Sequence, residues 1–492
     1  MNRIITSVLM GVAITTALHG VPRDESASMP NVLFIVADDL RPDLGCYGCS
    51  DVRSPNLDRL ATRGLLFERA YCQVALCNPS RTSLLTGLRP DSTQVYDNGG
   101  YFRDRRPDAV TLPQYFKSHG YVTHSLGKIF HPGCGDERSW SGRAWESTAP
   151  RYGPEGRAIA TNRAAKAKQL GKRVKKQDEL GPPWEAADAT DEQLTDGDTA
   201  SQAIRVLTDL QVRPFFLAVG FLVPHLPFVA PVKYWELYPS DTIRLASNPF
   251  LPRELPTCAI HHWSELRAFV GMPSTGSLSD EQAREAIRGY RAATSFLDTQ
   301  VGRVLDHLDH LALRENTIIV FLGDHGWQLG EHAHWCKHTN FDVALHAPLI
   351  ISVPGAKTAG HKTAALVEFV DLYPTLAELC ELPLPPAADG LSFKPLFDAP
   401  QRSWKQAAFS QYQRKVPDLG LAMGHSVRTD RYRFTEWTVP ENEFLARELY
   451  DHRTDPDENV NLATHPEAAR LVQDLTCILH GPHNLLADET AP

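Results

Sequence analysis

Two adjacent aspartates, Asp38 and Asp39, follow the apolar run Asn31–Val36, and a third, Asp324, follows a similar run with His325 beside it. Carboxylates gathered in one pocket repel, and one of them protonates unless a cation is shared between them. An oxygen-rich set of this kind suits calcium or magnesium more than zinc. A second chemically loaded stretch is Cys77-Asn-Pro-Ser-Arg-Thr-Ser-Leu-Leu-Thr-Gly87. Pro79 fits the first turn of a helix and Gly87 its end. A helix N-terminus draws anions, and Arg81 adds a two-pronged partner for an oxyanion. A thiol placed there is activated. Yet a soft thiolate is poorly matched to a hard cation held by oxygens. That mismatch points to a cysteine that is converted into something else.

These residues need a scaffold that gathers strand ends. Asn31–Val36, Pro214–Phe221, Asn316–Leu322 and Leu349–Pro354 are short, continuous apolar runs, as expected of strands buried on both faces. The first ends in Asp38-Asp39, the second near Pro224-His225 and the third in Asp324-His325. Between them lie helical patterns at Leu57–Phe67, Ala200–Leu210 and Gln282–Leu311. Alternation of this kind predicts an α/β fold with a large, mostly parallel sheet between helices. Ligands of such sheets bind beyond the carboxyl ends of the strands. From about Pro400 the pattern changes to strand, turn, strand over Gly424–Trp437, a strand at Glu448–Asp451 and a helix at Pro466–Leu479. The expected organisation is therefore a large domain over 29–400 and a smaller α+β subdomain over 401–492. The lysine- and arginine-rich stretch Ala164–Pro183 reads as an exposed insertion.

The net charge of −9 argues against a general nucleic-acid binder. Residues 1–20 read as a signal peptide, with Arg3 before the apolar stretch Ile4–Leu18, and imply an exported protein. No later segment is apolar enough for a stable membrane span. Nine cysteines are sparse for 492 residues, so the fold is not expected to depend on a disulfide framework. Cys46 and Cys49 have the spacing of half a zinc site, but no second pair follows.

Cys77-x-Pro79-Ser80-Arg81-x-x-x-Leu85-Thr86-Gly87 resembles the signature of the type I sulfatases at every defined position. Val36–Gly45, Leu126–Gly133, Pro224–Phe228, Gly323–His332, Phe296–Gly302 and Met423–Thr429 resemble the iduronate-2-sulfatase branch, in order, over most of residues 30–455. The resemblance implies the alkaline-phosphatase-like sulfatase fold. It implies that an installing enzyme converts Cys77 to formylglycine, and that Asp38, Asp39, Asp324 and His325 hold one calcium ion with the modified residue 77. His325 stands where other sulfatases commonly have asparagine, and fits this branch. Formylglycine would act as a hydrate, with one hydroxyl attacking sulfur. Arg81 belongs to the catalytic set. Lys128 and Lys337 would neutralise the sulfate, His225 would protonate the leaving oxygen, and His131 would accept the proton when sulfate is expelled. Tyr96, Asp97, Tyr101, Arg103 and Trp327 resemble sugar-facing positions. The expected substrate is a sulfated carbohydrate. A phosphate or phosphonate monoester hydrolase on the same fold, or a silent glycan-binding homologue, are the alternatives.

Overall fold

Strand β1, Asn31–Asp38, lies near the middle of a seven-stranded sheet and is buried along its whole length. The other strands are β2 (Leu65–Tyr71), β3 (Val122–Gly127), β4 (Phe215–Pro224), β5 (Thr317–Gly323), β6 (Leu349–Ser352) and β7 (His361–Glu368). Their order is β7-β2-β6-β5-β1-β4-β3. All neighbours run parallel except β6, which is antiparallel to both β2 and β5. This computed structural model describes residues 29–487 apart from Lys172 and Pro386, so the expected signal segment lies outside the described residues.

The side chains of β1 alternate between two cores, as a pleated strand requires. Leu33 and Ile35 join one core with Phe296, Leu297 and Val301, while Val32, Phe34 and Val36 join the other with Leu84, Leu85 and Leu376. Helices cover both faces: α1 (Pro55–Ala61), α2 (Cys77–Thr86), α3 (Pro154–Gln169), α4 (Thr195–Asp209), α5 (Asp280–His310) and α6 (Leu372–Leu379). The start of α5 is set by a capping box, in which Ser279 Oγ accepts from the Gln282 N–H and Gln282 returns a bond to the Ser279 N–H.

Two sequence expectations change. The pattern Leu57–Phe67 is not one helix: α1 stops at Ala61 and Leu65 opens strand β2. Gly64 passes so close to β6 that a Cβ there would meet the Ile351 carbonyl oxygen at 2.7 Å. The run Leu65-Leu66-Phe67 then pairs with Leu349–Ile351. The basic stretch from Ala164 also begins as helix, because the alanine-rich α3 continues to Gln169.

The C-terminal part forms an antiparallel sheet of β8 (Ala408–Val416), β9 (Gly420–Arg428), β10 (Tyr432–Val439) and β11 (Glu443–Asp451), in chain order. Helix α7 (Ala469–Leu479) packs on it through Val472, Leu475 and Leu479. Just before β8, Lys405 Nζ is clamped between Glu368 (2.8 Å) and Asp371 (2.6 Å), and Glu368 also takes both prongs of Arg89. All nine cysteines are free thiols. Among the described residues, no helix is long and apolar enough to cross a membrane.

Candidate active site

Register assembles the site. Ala37 of β1 pairs with Gly323 of β5, so Asp38-Asp39 and Asp324-His325 leave the sheet side by side. Asp38 stands opposite Pro224 of β4, so His225 emerges next to them. The turn is locked by the Asp39 N–H, which donates to Asp324 Oδ1 at 2.9 Å, with Asp39 at φ 63°. Strand β3 delivers Lys128, whose N–H donates to the Gly220 carbonyl at 2.9 Å. Two glycines allow that approach: a Cβ on Gly127 would lie 2.1 Å from the Gly220 oxygen, and one on Gly220 would lie 2.0 Å from the Lys128 oxygen. Cys77 opens α2 as expected, fully buried, and Gly87 ends the helix at φ 68°.

Cys77 Sγ lies 3.8 Å from Asp39 Oδ1. The ligand atoms of Asp38, Asp39, Cys77 and His225 fall within 4.8 Å of one another, as do those of Cys77, Asp324 and His325. Lys337 Nζ contacts both Asp39 oxygens, at 2.9 and 2.8 Å, and Lys128 Nζ contacts Asp38. Burial pushes the Asp39 carboxyl up to about 7, against the pull of His225 and Lys337. Burial acts on Asp38 as well, but Lys128, His225 and Arg81 outweigh it and hold this carboxyl well below its ordinary range. For His325, burial disfavours the charge, yet Asp324, Cys77 and Asp39 lift it to about 9.

This donor set fits a hard divalent cation. Two donor groups, one holding Asp38 and Asp39 and the other Asp324, share Cys77, and two of the three carboxylates are balanced here by ammonium groups. His325 Nε2 is buried without a hydrogen-bond partner, 3.3 Å from Asp39 Oδ1 and 3.7 Å from Asp324 Oδ1. A cation between these groups would satisfy that nitrogen and relieve the raised Asp39 carboxyl.

Other expected residues take different places. Arg81 is fully buried and spent: it donates to Asp324 at 2.8 Å, to Asp38 at 3.1 Å, and to the carbonyls of Lys128 and Ile129. It braces the carboxylates rather than presenting a fork to an oxyanion. Trp327 is 1% exposed, with Lys337 Nζ 5.0 Å above its ring, so it lies beneath a lysine. Arg103 is forked onto Asp136 at 2.7 and 2.8 Å. Asp97 Oδ1 accepts from the Gly99 and Gly100 N–H groups in a local turn, and Tyr96 OH donates to Asp91. Tyr101 is half-buried against Phe102. His131 is half-buried beside a cleft of about 1010 Å³ that Phe130, Trp140 and Trp145 also line. Burial, then Lys128, pulls its pKa down to about 4. Sequence reading missed Glu265, which meets His225 Nε2 at 3.0 Å and Lys337 Nζ at 3.2 Å. Nothing in its surroundings, Trp263-Ser-Glu-Leu-Arg267, distinguishes it from a solvated loop glutamate.

The profile of the family described as Sulfatase matches residues 30–382, and that described as N-sulphoglucosamine sulphohydrolase, C-terminal, matches 330–483. Iduronate 2-sulfatase of Mus musculus is 36% identical over 95% of this chain and 97% of its own length. Among solved structures, a phosphonate monoester hydrolase of Agrobacterium radiobacter superposes with a TM-score of 0.71 at 23% identity, covering 91% of this chain and 94% of its own. A 2-O GAG sulfatase superposes with a TM-score of 0.71 at 24% identity, covering 92% and 91%. At those identities the two structures speak for the fold alone, which is alkaline-phosphatase-like. The profile match over most of the chain and the iduronate 2-sulfatase identity say more: this protein belongs to the sulfatase family, in its iduronate-2-sulfatase-like branch, and is a sulfuric ester hydrolase.

Proposed function

We propose that this protein is an exported sulfatase that removes O-sulfate from sulfated sugars, a 2-sulfated uronate above all, with formylglycine at position 77 and one calcium ion. The observation that carries the reading is the setting of Cys77: a buried side chain at a helix N-terminus, within 4.8 Å of both aspartate and histidine donors. Asp38, Asp39, Asp324 and His325 would hold the calcium together with the modified residue. When bound, these groups supply an activated hydroxyl nucleophile. Lys128 and Lys337 bring two ammonium groups to the sulfate oxygens, where charge grows in the transition state. His225, its ring anchored through Nδ1 on the Leu226 carbonyl at 2.6 Å, donates a proton from Nε2 to the leaving ester oxygen, and the Glu265 carboxylate beside Nε2 favours the protonated ring. His131, kept neutral above about pH 4, accepts the proton released when sulfate departs. The 29–400 portion would carry this chemistry and 401–492 would form the subdomain beside it. Export would follow from residues 1–20, and modification of Cys77 would need an installing enzyme in the host.

The deciding experiment is mass spectrometry of the peptide spanning Cys77, on protein exported by its own host, with parallel assays on sulfate and phosphate monoesters. An aldehyde in place of the thiol, with sulfate released in preference to phosphate, is expected. Unmodified thiol in active protein would overturn the formylglycine reading. Preferred phosphate release would favour the phosphate or phosphonate ester alternative.

A further inference from the structure

In a chain of net charge −9, Gly156–Lys176 holds eight lysines and arginines, between Glu155 on one side and Asp178 and Glu179 on the other. Helix α3 carries the first part, and the short turn Lys176–Glu179 packs against that helix. Arg157, Lys166, Lys168, Arg173 and Lys176 are exposed. Lys166, Lys168, Arg173 and Lys176 have no ion-pair partner among the described residues. Uncompensated charges of one sign on a solvated surface attract anions to it.

The surface is tied to the mouth of the active site at two points. Arg151, just before α3, donates to the Leu226 carbonyl at 2.6 Å, with His225 Nδ1 3.5 Å from the same nitrogen. Arg163 of α3 donates to the carbonyls of Leu180 and Ala268, at 3.2 and 2.9 Å. Ala268 lies three residues after Glu265, which touches both His225 and Lys337. Arg157 and Lys168 share one exposed face of α3, eleven residues and about 16 Å apart, further than a single sugar sulfate extends, while Lys166 stands on another flank.

We propose that α3 and the turn after it form a docking surface for a polyanionic sulfated saccharide chain, which they hold while one of its sulfate esters lies at Cys77. The proposal rests on the sulfatase reading of the site. A saccharide fits better than a nucleic acid, because Pro154–Lys176 contains no aromatic residue on which bases would stack. Lysine and arginine side chains on a solvated helix bind sulfates through screened charge, so the attraction weakens with salt.

The test uses the full chain on immobilised heparin, read by the sodium chloride concentration needed for elution, with single-stranded DNA as the competing polyanion. The variant K166E/K168E/R173E/K176E is expected to elute at roughly half the salt of the parent. Its KM for a sulfated polysaccharide should rise about tenfold with little change in kcat. The control R402E/R470E, which reverses exposed charges elsewhere, should elute with the parent. Elution unchanged by the four reversals would overturn the surface, even in a chain that releases sulfate. Equal retention of DNA through the same residues would overturn its assignment to a saccharide. Retention lost on reversal, in a chain that hydrolyses no sulfate ester, would leave the surface standing and sink the sulfatase mechanism instead.

Discussion

His225 Nε2 and Glu265 Oε1 lie 3.0 Å apart at the mouth of the site, and the other Glu265 oxygen lies 3.2 Å from Lys337 Nζ. One carboxylate thus faces the donating nitrogen of the proposed proton donor, whose Nδ1 is anchored on the Leu226 carbonyl, and one of the proposed sulfate-binding cations. Lys337 and His225 in turn hold the Glu265 carboxyl well below its usual range, against the effect of burial.

The first consequence concerns leaving groups. Removing a general acid costs about 10²–10⁴ in rate where the leaving oxygen needs a proton. His225→Ala should therefore lose that much on a sugar sulfate and far less on a nitrophenyl sulfate, whose leaving group departs unprotonated. Glu265→Gln should show the same preference at about tenfold, since it removes the negative charge that favours the protonated ring and leaves the imidazole in place. Equal losses on both esters would show that neither residue serves proton transfer.

Metal removal gives the second. Under the calcium reading, chelation should lower kcat by about a hundredfold or more, because charge stabilisation worth several kcal/mol is lost. Melting should respond less. Lys128 and Lys337 already pair with Asp38 and Asp39, so the repulsion between the emptied carboxylates is partly offset. Calcium should restore turnover better than zinc, as the oxygen-rich donor set requires. Activity indifferent to chelation would remove the metal from the scheme.

Arg103 separates a structural role from a sugar-binding one. Its fork closes on Asp136, whose side chain is 2% exposed. Arg103→Ala would leave that carboxylate without its cation, held by Ser139 Oγ at 2.7 Å, at a cost of about 3 kcal/mol. A urea midpoint measures this directly. A raised KM with unaltered stability would instead restore Arg103 to the substrate.

The C-terminal sheet carries a pH response of its own. Burial lifts the Glu448 carboxyl to about 7, although Trp437 Nε1 and Tyr450 OH both donate to it, at 2.7 and 2.9 Å. A carboxyl raised on folding binds its proton more tightly in the native state. Its contribution is complete below the unfolded value of 4.5 and is lost as pH rises through about 7. The loss amounts to about 3 kcal/mol at most. Glu448→Gln should flatten the fall in melting temperature between pH 5 and pH 8, and an unchanged slope would place the titration elsewhere.

The sequence by itself determined the parts that depend on local pattern. Continuous apolar runs marked the strands buried on both faces, and the polar residues at their ends, Asp38-Asp39, His225 and Asp324-His325, lie together because parallel strands align their carboxyl ends. The spacing from Cys77 to Gly87 likewise announced helix α2. Short apolar runs are less certain, which is why Leu65–Phe67, the start of strand β2, resembled the tail of a helix. Only the tertiary structure decided what each polar side chain faces. Asp39 meets Asp324 across 285 positions of chain, and Lys337 meets Asp39 across 298. Glu265 gained its place because its turn, Ser264–Arg267, packs against Trp335-Cys336 next to Lys337, while Trp327 lies under Lys337 and Arg103 is forked onto Asp136. Burial and charge pairing are properties of neighbours in space, and hydrophobic periodicity carries no record of which neighbours those are.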